Sequence, residues 1–503
     1  MRKYLLAAAL IASATQLMAQ SEYDALRFSQ TYQQGTARSA AMGGAFGALG
    51  GDISVMATNP AGIAIYNKGE LTFTPEIISN NTESSFNGQS ATDSKFAMKI
   101  ANFGFVSATQ SNRSSGFKGF AWGIGYNRLN DFTNNDRFKN VNSDQSMLDS
   151  WVDRANGKQP GNLNYYAEGL GHDVLLLWDD SETDGIHNKI NYYNPHSYEW
   201  KEKKAPDLYG QTQTRTMNKK GGINTWDFSL AGNYNDMVFF GASLGIQTLH
   251  YKFNSVYREQ DDKEPYEIPY DYWEFKEEGK SNGAGVNLKV GVLVKPTNYL
   301  RFGAAIHTPT LYSITDRYTS QVAVQYNWYD NHDFREAKSD NQDYMYTVVT
   351  PMKAILSGAF VVPGYGLLSL DYESVNYTKC RMQSGDDDNY DFEAENNAIK
   401  DKFQKTNNFR VGLEGLAGPV ALRAGYALYG NPYKWINGDK QRQILSLGVG
   451  FRGTDAYIDV TGSYHIYQTE DILYYSEKPA HTRMTALDNR YLHIMVTFGI
   501  KFD

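Results

Sequence analysis

A short glycine–serine–glycine pattern is the first candidate for chemistry, because GASLG at Gly241–Gly245 matches the nucleophile elbow of serine hydrolases. That motif places an activated serine on a sharp turn between a strand and a helix. Here Ser243 falls inside an alternating segment, on the same face as two glycines. The other face carries the apolar side chains of Val238, Phe240, Ala242, Leu244 and Ile246. We interpret the match as chance, and the sequence predicts no catalytic residue and no enzyme.

Metal binding has two candidates, and neither has the ligand spacing of a known metal site. The stretch GDDDNYDFEAE at Gly385–Glu395 is acidic, but it lacks the alternate ligands and central glycine of an EF-hand loop. His187 and His196 are the closest histidine pair, and neither lies in a zinc motif. Cys380 is the only cysteine, which excludes an intrachain disulfide and a cysteine-based zinc site. We predict no metal and no cofactor.

Composition and the N-terminus indicate an exported protein. The 503 residues carry a net charge of -8 without a basic stripe, so no nucleic-acid partner is expected. Residues 1–19 resemble a secretory signal, with basic Arg2 and Lys3, an apolar core at Tyr4–Ala14 and a small residue, Ala19, at the cleavage point. No apolar run reaches the roughly 18 to 20 residues of a spanning helix. The 37 tyrosines suit a membrane–water boundary.

Any site must be positioned by strands, because apolar and polar residues alternate with a period of two after about residue 70. In RYLHIMVTFGIKF, Leu492, Ile494, Val496, Phe498, Ile500 and Phe502 share one face. Such a segment of about ten residues can span a bilayer as a strand. Fifteen candidate strands lie near 70–79, 95–107, 117–130, 224–235, 237–256, 270–280, 284–296, 299–317, 344–362, 365–380, 406–416, 418–430, 442–453, 455–468 and 490–502.

We predict an all-β fold, a transmembrane antiparallel β-barrel of about 14 strands over 69–503, since closed barrels of bacteria have even strand numbers. Closure leaves no unpaired backbone edge in lipid. Long hydrophilic connections near 131–223, 318–343 and 381–404 are expected to be extracellular loops that cover the mouth. Four polar residues are candidates to face the lumen, either lining a path or forming salt bridges with one another: Arg423, Arg452, Asp459 and His465.

The stretch before the first strand has a different composition, because residues 25–65 show no sustained alternation and are rich in glycine and alanine. Small residues permit close backbone approach, which suits a compact element lodged inside a barrel. Asp52 is expected to cap a helical turn over 53–57. Asn59 and Pro60 indicate a second cap with proline at the first helical position, and Gly62 is expected to end that turn. Alternatively, this stretch is only a turn that begins the first strand.

The segment GTARSAAMGGAFGALGGDISVMATNPAGIA resembles the N-terminal region of the FadL family of outer-membrane transporters for hydrophobic compounds. The resemblance is specific over about residues 35–66, and elsewhere it rests on architecture. It implies that residues 20–68, which include this segment, form an N-terminal plug, or hatch, inside the barrel. The residues of this plug motif are Gly43, Gly44, Asp52, Asn59, Pro60, Ala61 and Gly62.

The same resemblance implies transport of a long-chain fatty acid or a similar apolar compound, with release through a lateral gap in the wall. It implies a monomer in the outer membrane of a Gram-negative cell, of a Bacteroidetes type. The expected partners are an apolar small-molecule ligand, outer-membrane lipids and, during biogenesis, the barrel-assembly machinery. An alternative is a barrel similar to the PorV-like proteins of type nine secretion, which bind or shuttle secreted proteins at the surface.

Overall fold

The computed structural model describes residues 21–32, 34–111, 113–179, 190–196, 209–261, 270–328, 331–385, 390–434, 440–474 and 483–503. The predicted secretory signal at 1–19 lies outside these residues. The structure is an antiparallel barrel, and 19 of its strands form one sheet. The strands are β1 Gly69–Phe86, β2 Gln89–Gln110, β3 Phe117–Asp131, β4 Asn134–Asn140, β5 Trp178–Asp179, β6 Tyr192–Tyr193, β7 Thr212–Tyr234, β8 Val238–Gln260, β9 Tyr270–Val294, β10 Leu300–His307, β11 Leu311–Trp328, β12 Asn331–Lys338, β13 Gln342–Val349, β14 Lys353–Val362, β15 Gly366–Asn376, β16 Arg381–Ser384, β17 Lys405–Ala417, β18 Val420–Tyr429, β19 Arg442–Arg452, β20 Ala456–Tyr474 and β21 Arg483–Phe502.

The barrel wall has 14 strand positions, as predicted, because some positions are shared by consecutive strands. Strands β10 and β11 follow one another in the wall, as do β12 to β14, β15 with β16, and β3 with β4, which both pair with β7. Strand β1 pairs with β21 from Gly69↔Phe502 to Ser85↔Ala486 and closes the barrel. The predicted strands at 270–280 and 284–296 are one strand, β9. Strands β5 and β6 form a separate small sheet.

Alternation along each strand separates a lipid face from an interior face. In β8, Phe240, Leu244 and Ile246 are exposed on the outer surface, whereas Ser243 and Gln247 are buried inside. The same apolar outer surface continues around the wall, including Leu492 and Phe498 of β21. A closed barrel with an apolar exterior and a polar interior is typical of outer-membrane barrels. This chain is therefore an outer-membrane barrel. Among the described helices, none has the length and hydropathy needed to span a bilayer.

Two neighbouring strand positions are interrupted by proline. Pro309 separates β10 from β11, and Pro351 separates β13 from β14. Proline has no N–H to give to the ladder, so it interrupts strand pairing. The two breaks lie side by side, where the Thr310 N–H donates to Thr350 Oγ1 at 2.8 Å and the Thr350 N–H donates to Thr310 O at 3.0 Å.

The three predicted long loops are more ordered than expected. The prediction of a loop at 318–343 is wrong, since β11 and β12 pair from Gln321↔Lys338 to Trp328↔Asn331. Strand β11 buries Tyr318, Val322 and Val324 on its inner face. The outer face of this part of β11 is polar because it lies beyond the apolar band of the barrel. We identified membrane strands by an apolar outer face, so the sequence pattern did not indicate a strand here.

The segments at 131–223 and 381–404 also contain regular structure. The first includes β4, helix α3 (Met147–Ala155), helix α4 (Glu168–Asp173) and the first half of β7. The second includes β16 and helix α5 (Glu393–Lys402). Helices α3 and α4 share a buried apolar cluster with inner-face residues of the barrel: Trp151, Leu148, Leu170, Tyr257, Trp273, Phe275, Val324, Tyr326 and Tyr474. We call α3, α4 and the chain between them the cap.

Residues 34–66, which we call the N-terminal segment, are almost entirely buried. They follow helix α1 (Glu22–Ser29) and contain helix α2 (Ala37–Ala41) and two 3-10 helices, Ile53–Ala57 and Pro60–Ile65. Their apolar side chains form one cluster with inner residues of the wall, including Val106, Ala231 and Leu293. The segment therefore lies in the barrel interior, where its apolar side chains pack against the wall.

Candidate functional site

Glycines on both sides allow the N-terminal segment to approach the wall. A Cβ atom on Gly425 of β18 would lie 2.2 Å from the Gly43 nitrogen. One on Gly241 of β8 would lie 2.6 Å from the Ala61 nitrogen, and one on Gly303 of β10 would lie 2.2 Å from a carbonyl oxygen of the segment. These strands belong to different parts of the wall, so the segment contacts several sides of the barrel. Gly241, which sequence matching associated with a nucleophile elbow, serves this close packing.

Asp52 and Asn59 organise the segment internally, and both cap the helical turns that were predicted for them. Asp52 Oδ1 accepts a hydrogen bond from the Ser54 N–H at 3.0 Å, and Asp52 Oδ2 accepts one from Thr36 Oγ1 at 2.8 Å. Asn59 Oδ1 accepts from the Ala61 N–H at 3.2 Å. Pro60 occupies the first helical position, as expected.

Asn59 also connects the segment to the wall. Its Nδ2 atom donates to Gly47 O at 2.7 Å and to Val292 O of β9 at 3.1 Å. The side chain is buried, so its amide satisfies two buried carbonyl oxygens that would otherwise lose a donor. Asn59 thus holds the two halves of the segment together and fixes them against β9.

The glycines of the motif serve backbone conformation and contact. Gly43 and Gly44 have positive φ angles of 64° and 77°, which favour glycine. The prediction that Gly62 ends its turn is wrong, because the 3-10 helix continues to Ile65. A Cβ on Gly62 would lie 3.0 Å from Gly50 Cα, and Gly62 O accepts from the Gly51 N–H at 3.1 Å. Gly62 is therefore placed for a close backbone crossing.

Three of the four predicted lumen residues form one buried ionic network. Arg423 donates to Glu414 through Nε and to Asp459 Oδ1 through Nη1, the latter at 2.7 Å. Arg452 Nη2 donates to Asp459 Oδ2 at 3.2 Å. The fourth, His465, does not contact this network and stacks on His493 with ring centroids 4.2 Å apart.

The residue of the N-terminal segment that completes the network was not predicted from the sequence. Arg38 of α2 donates to Glu414 through Nε at 2.9 Å and through Nη2 at 2.8 Å. Glu414 thus accepts from Arg38 and from Arg423. A detectable signal was the inward position of Glu414 in β17, directly opposite Arg423 in β18.

Further polar contacts join the segment to other strands. Asp371 of β15 accepts from the Gly47 N–H at 3.1 Å, and Arg301 of β10 donates to Leu49 O at 2.6 Å. A ring nitrogen of His307 lies 2.6 Å from Thr58 O. Beside these contacts, Arg410 pairs with Glu373 at 3.1 Å, and Lys289 pairs with Asp227. Paired charges on the inner wall therefore accompany the apolar packing around the segment.

A cavity of about 390 Å³, which we call the chamber, lies between the N-terminal helix α1 and the interior of the barrel. Its lining combines aromatic rings with charged groups, and Arg27 of α1 lies over the Tyr251 ring at 4.6 Å. The rings on its wall belong to Tyr23, Tyr32, Phe132, Tyr251, Phe253, Tyr318, Tyr433, Tyr467 and Tyr491.

Arg442 has an unusual environment within the chamber. Its guanidinium carbon lies 4.0 Å from the ring centre of Tyr32, 4.4 Å from that of Tyr467 and 5.9 Å from that of Tyr491. Its Nη2 atom contacts His465 Nδ1 at 3.1 Å. Among the described residues, no carboxylate forms a salt bridge with Arg442. The chamber therefore offers a cation held by aromatic faces.

The cap is fixed to the barrel by Glu259. Glu259 accepts from Ser146 Oγ at 2.6 Å and from the Met147 N–H at 2.8 Å, at the start of α3. Nearby, Tyr209 Oη donates to Asp149 Oδ1 at 2.8 Å. Burial, followed by the adjacent carboxylate, raises the pKa of Tyr209 above its ordinary value, so the hydroxyl keeps the proton that it donates.

The remaining motif residues have structural surroundings. Ser243 lies within β8, and its Oγ is 2.9 Å from Ser229 Oγ. His196 contacts Tyr270 Oη at 2.7 Å, whereas His187 lies outside the described residues. Cys380 is buried beside Ser29 Oγ at 3.3 Å. Of the acidic stretch at 385–395, positions 386–389 lie outside the described residues, and Glu393 begins α5. The described part of the chain contains no cluster of metal ligands.

The wall is interrupted beside the chamber. The β2–β3 ladder runs from Gln110↔Gly119 to Asn102↔Asn127 and stops at Asn102. Beyond it, β3 turns inward and continues as β4, which pairs with β7 and packs behind β1 and β2. In the described residues, no strand pairs with the β3-facing edge of β2 between Gln89 and Ala101. We call this interruption the seam.

Comparison with solved structures finds the same architecture in bacterial transporters. The chain is similar to the toluene transporter TodX of Pseudomonas putida, with 10% identity, a TM-score of 0.52, and coverage of 93% of this chain and 99% of that one. It is similar to a FadL homologue of Pseudomonas aeruginosa, with 12% identity, a TM-score of 0.55, and coverage of 94% and 100%. No family profile matches the chain, and no curated protein sequence matches it.

These similarities concern the fold, and they extend over nearly the whole barrel. They provide no support for the PorV-like alternative, and the Bacteroidetes type stays a prediction. The structural relatives agree with the resemblance found in the N-terminal segment. This chain has the fold of the FadL-type transporters of the outer membrane.

Proposed function

We propose that this protein carries hydrophobic small molecules across the outer membrane, with the N-terminal segment as its plug and with lateral release into lipid. A long-chain fatty acid or a similar apolar compound is the proposed cargo. One observation carries the proposal: the chamber is lined by residues 130–132 and Asn134, at the point where β3 leaves the ladder at the seam. We call the ion pairs of Arg38, Arg410 and Lys289 around the N-terminal segment the floor.

The chamber suits a small ligand with apolar surface. Its volume of about 390 Å³ falls within the roughly 300 to 1,000 Å³ of typical ligand pockets. Aromatic rings such as Tyr251, Phe253 and Tyr491 contribute apolar surface to its lining. A water-filled pore lacks this surface, so an apolar molecule gains little by entering it.

The floor supports sideways release. A molecule that continued towards the periplasmic end would have to displace Asn59 and pass the ion pairs of Arg38, Arg410 and Lys289. Breaking buried, paired charges is costly, and apolar cargo cannot replace the lost hydrogen bonds. The seam leads from the chamber towards lipid, where apolar surface stays out of water.

Structural similarity supports the same class of cargo. The related structures are a toluene transporter and a FadL homologue, and both share this barrel over most of their length. A protein-binding role would require an accessible mouth, whereas the apolar cluster of the cap packs against inner-face residues such as Trp273 and Phe275.

Mass spectrometry of the organic extract from gently purified, folded protein tests the proposal. An unrelated barrel purified in parallel is the control for detergent and membrane lipid. An enriched apolar molecule in this protein alone is the expected result. Equal extracts, together with unchanged cellular uptake of apolar compounds after deletion of residues 35–62 from a correctly assembled barrel, would overturn it.

A further inference from the structure

We propose that Lys99 and Arg128 form a side-chain latch that holds the seam closed, and that this latch must open before cargo reaches lipid. The inference rests on the proposed function, because it assigns a control point to lateral release. It is carried by the contacts that replace strand pairing along the unpaired edge of β2.

Arg128 satisfies the backbone where the ladder stops. Its Nη2 atom donates to Ile100 O at 2.8 Å, two residues before the last β2–β3 pair. Its Nη1 atom donates to Glu76 of β1 at 3.1 Å and lies 3.6 Å from Asp131. An unpaired carbonyl at membrane depth is costly, so the guanidinium substitutes for a missing strand.

Lys99 crosses the seam from the other side. Its Nζ atom donates to Asp131 Oδ2 and Thr133 Oγ1, and it lies 3.5 Å from Gly221 O. The Lys99 side chain is 20% exposed and that of Asp131 is 7% exposed, so water weakens this ion pair little. Lys99 is on β2, whereas its partners lie where β3 turns inward and on β7.

From Lys99 towards Gln89, the described contacts between β2 and the chain of β4 involve side chains. Asn135 Nδ2 donates to Ser94 O at 3.3 Å, and Gln89 exchanges hydrogen bonds with the backbone of Val141 at 3.0 and 3.2 Å. Two strands joined by a ladder of backbone hydrogen bonds separate only when many of those bonds break together. A few side-chain contacts can separate while β1–β2 and β4–β7 stay paired.

The same chain that closes the seam also lines the chamber. Residues 130–132 and Asn134 belong to its lining. Separation of the latch would therefore connect the chamber to the lipid side of β2. Lys99 binds Asp131 across the seam, and Arg128 lies 3.6 Å from the same carboxylate, so a movement of this turn would break the Lys99 contact and disturb Arg128.

The latch is also connected to the chain that leads into the plug. The Tyr32 N–H donates to Leu129 O at 2.7 Å, and Asn130 Nδ2 donates to Gln30 O at 3.0 Å. These contacts join residues between α1 and the N-terminal segment to the turn that carries Asp131. A displaced plug would therefore pull on the latch.

The first test measures the seam without transport. Spin labels are placed at Ser94→Cys and Asn135→Cys in full-length protein carrying Cys380→Ala, and their distance distribution is measured in lipid. We expect a narrow distribution with the intact latch and a broader one, shifted to longer distances, after Lys99→Met. Lys99→Arg, which keeps the charge, should restore the narrow distribution. An unchanged distribution in Lys99→Met would overturn the latch whatever the protein transports.

The second test joins the seam covalently. A bifunctional thiol reagent links Ser94→Cys to Asn135→Cys, and cellular uptake of the compound found in the extract is compared before and after reductive cleavage. We expect at least a tenfold loss of uptake that cleavage restores. Linking Ala108→Cys to Ala121→Cys, which already face each other in the intact ladder, should change nothing.

The outcomes separate the latch from the proposed function. Full uptake through the linked seam, in a barrel shown to be folded by its heat-dependent mobility in gels, would overturn the latch while leaving transport intact. No uptake in the uncrosslinked protein as well would count against the proposed function, and the distance measurement would then decide the latch.

Discussion

Arg38 of the N-terminal segment and Glu414 of the barrel wall form a bidentate ion pair, with Nε to Oε2 at 2.9 Å and Nη2 to Oε1 at 2.8 Å. The two residues are 376 positions apart in the chain. Their side chains are 15% and 5% exposed, so the pair is held inside the barrel. The pair makes the position of α2 depend on a network that includes Arg423 and Asp459.

Arg38→Met should loosen the segment and weaken the barrel. Glu414 keeps Arg423 as a partner, so the cost should stay below the roughly 3 to 5 kcal/mol of leaving a buried charge unpaired. We expect a lower temperature for loss of the folded gel mobility and a higher ion conductance in planar bilayers. Arg317→Met is the matched control, because the Arg317–Asp343 pair is about half exposed. Equal conductance in both variants would contradict the role of Arg38.

Gly425→Ala should displace the segment through contact alone. The new Cβ would lie 2.2 Å from the Gly43 nitrogen, a backbone atom that has no side-chain freedom with which to adjust. Accessibility of a cysteine introduced in the segment to a water-soluble thiol reagent measures the displacement. Gly462→Ala, where no atom lies within 4 Å of the new Cβ, is the control and should label at the parental rate. Labelling of the Gly425→Ala variant at the parental rate would show that the wall moves and the segment keeps its position.

Asn59→Asp should separate the capping and tethering roles of this residue. The carboxylate can still accept from the Ala61 N–H but cannot donate to Gly47 O or Val292 O. Loss of donors to two buried carbonyls costs roughly 1 to 3 kcal/mol each. We expect faster proteolysis within the N-terminal segment than in the parent, with the strands of the barrel intact. Proteolysis at the parental rate would mean that Asn59 acts only as a cap.

Arg442→Gln should alter the charge of the retained cargo. Three tyrosine rings surround the guanidinium, and no carboxylate of the described residues forms a salt bridge with it. An acidic cargo would supply the missing counter-ion, so its share in the organic extract should fall at least tenfold relative to neutral cargo. Arg442→Lys keeps the charge and should retain more acid. An unchanged ratio in Arg442→Gln would exclude an acid–guanidinium contact.

The strand pattern was predictable because lipid selects one face of each membrane strand. Phe498 and Ile500 are exposed on the outer face of β21, as their alternation indicated. The caps at Asp52 and Asn59 were also predictable, since a capping side chain and its N–H are two residues apart. The pattern failed at 318–343, where strands extend beyond the apolar band and Tyr318 faces inward without an apolar outer neighbour.

The pairing of distant residues was not predictable from alternation. Arg423 and Asp459 were identified as inward residues, but alternation assigns a face and does not name a partner. The registers that bring Glu414 opposite Arg423 follow from the lengths of neighbouring strands and turns. Arg38 carried no strand signal at all, because it belongs to a helix of five residues.

By itself, the sequence determined an apolar-faced barrel of about 14 strands and a small-residue N-terminal segment with two capped turns, because these features depend on residue type and short spacing. Only the tertiary structure decided that Gly425 lies against Gly43, that Arg38 completes the ionic network and that the β2–β3 ladder stops at Asn102. These relationships depend on which separated strands the closed barrel brings together, and the spacing of residues along the chain does not say which distant residues become neighbours.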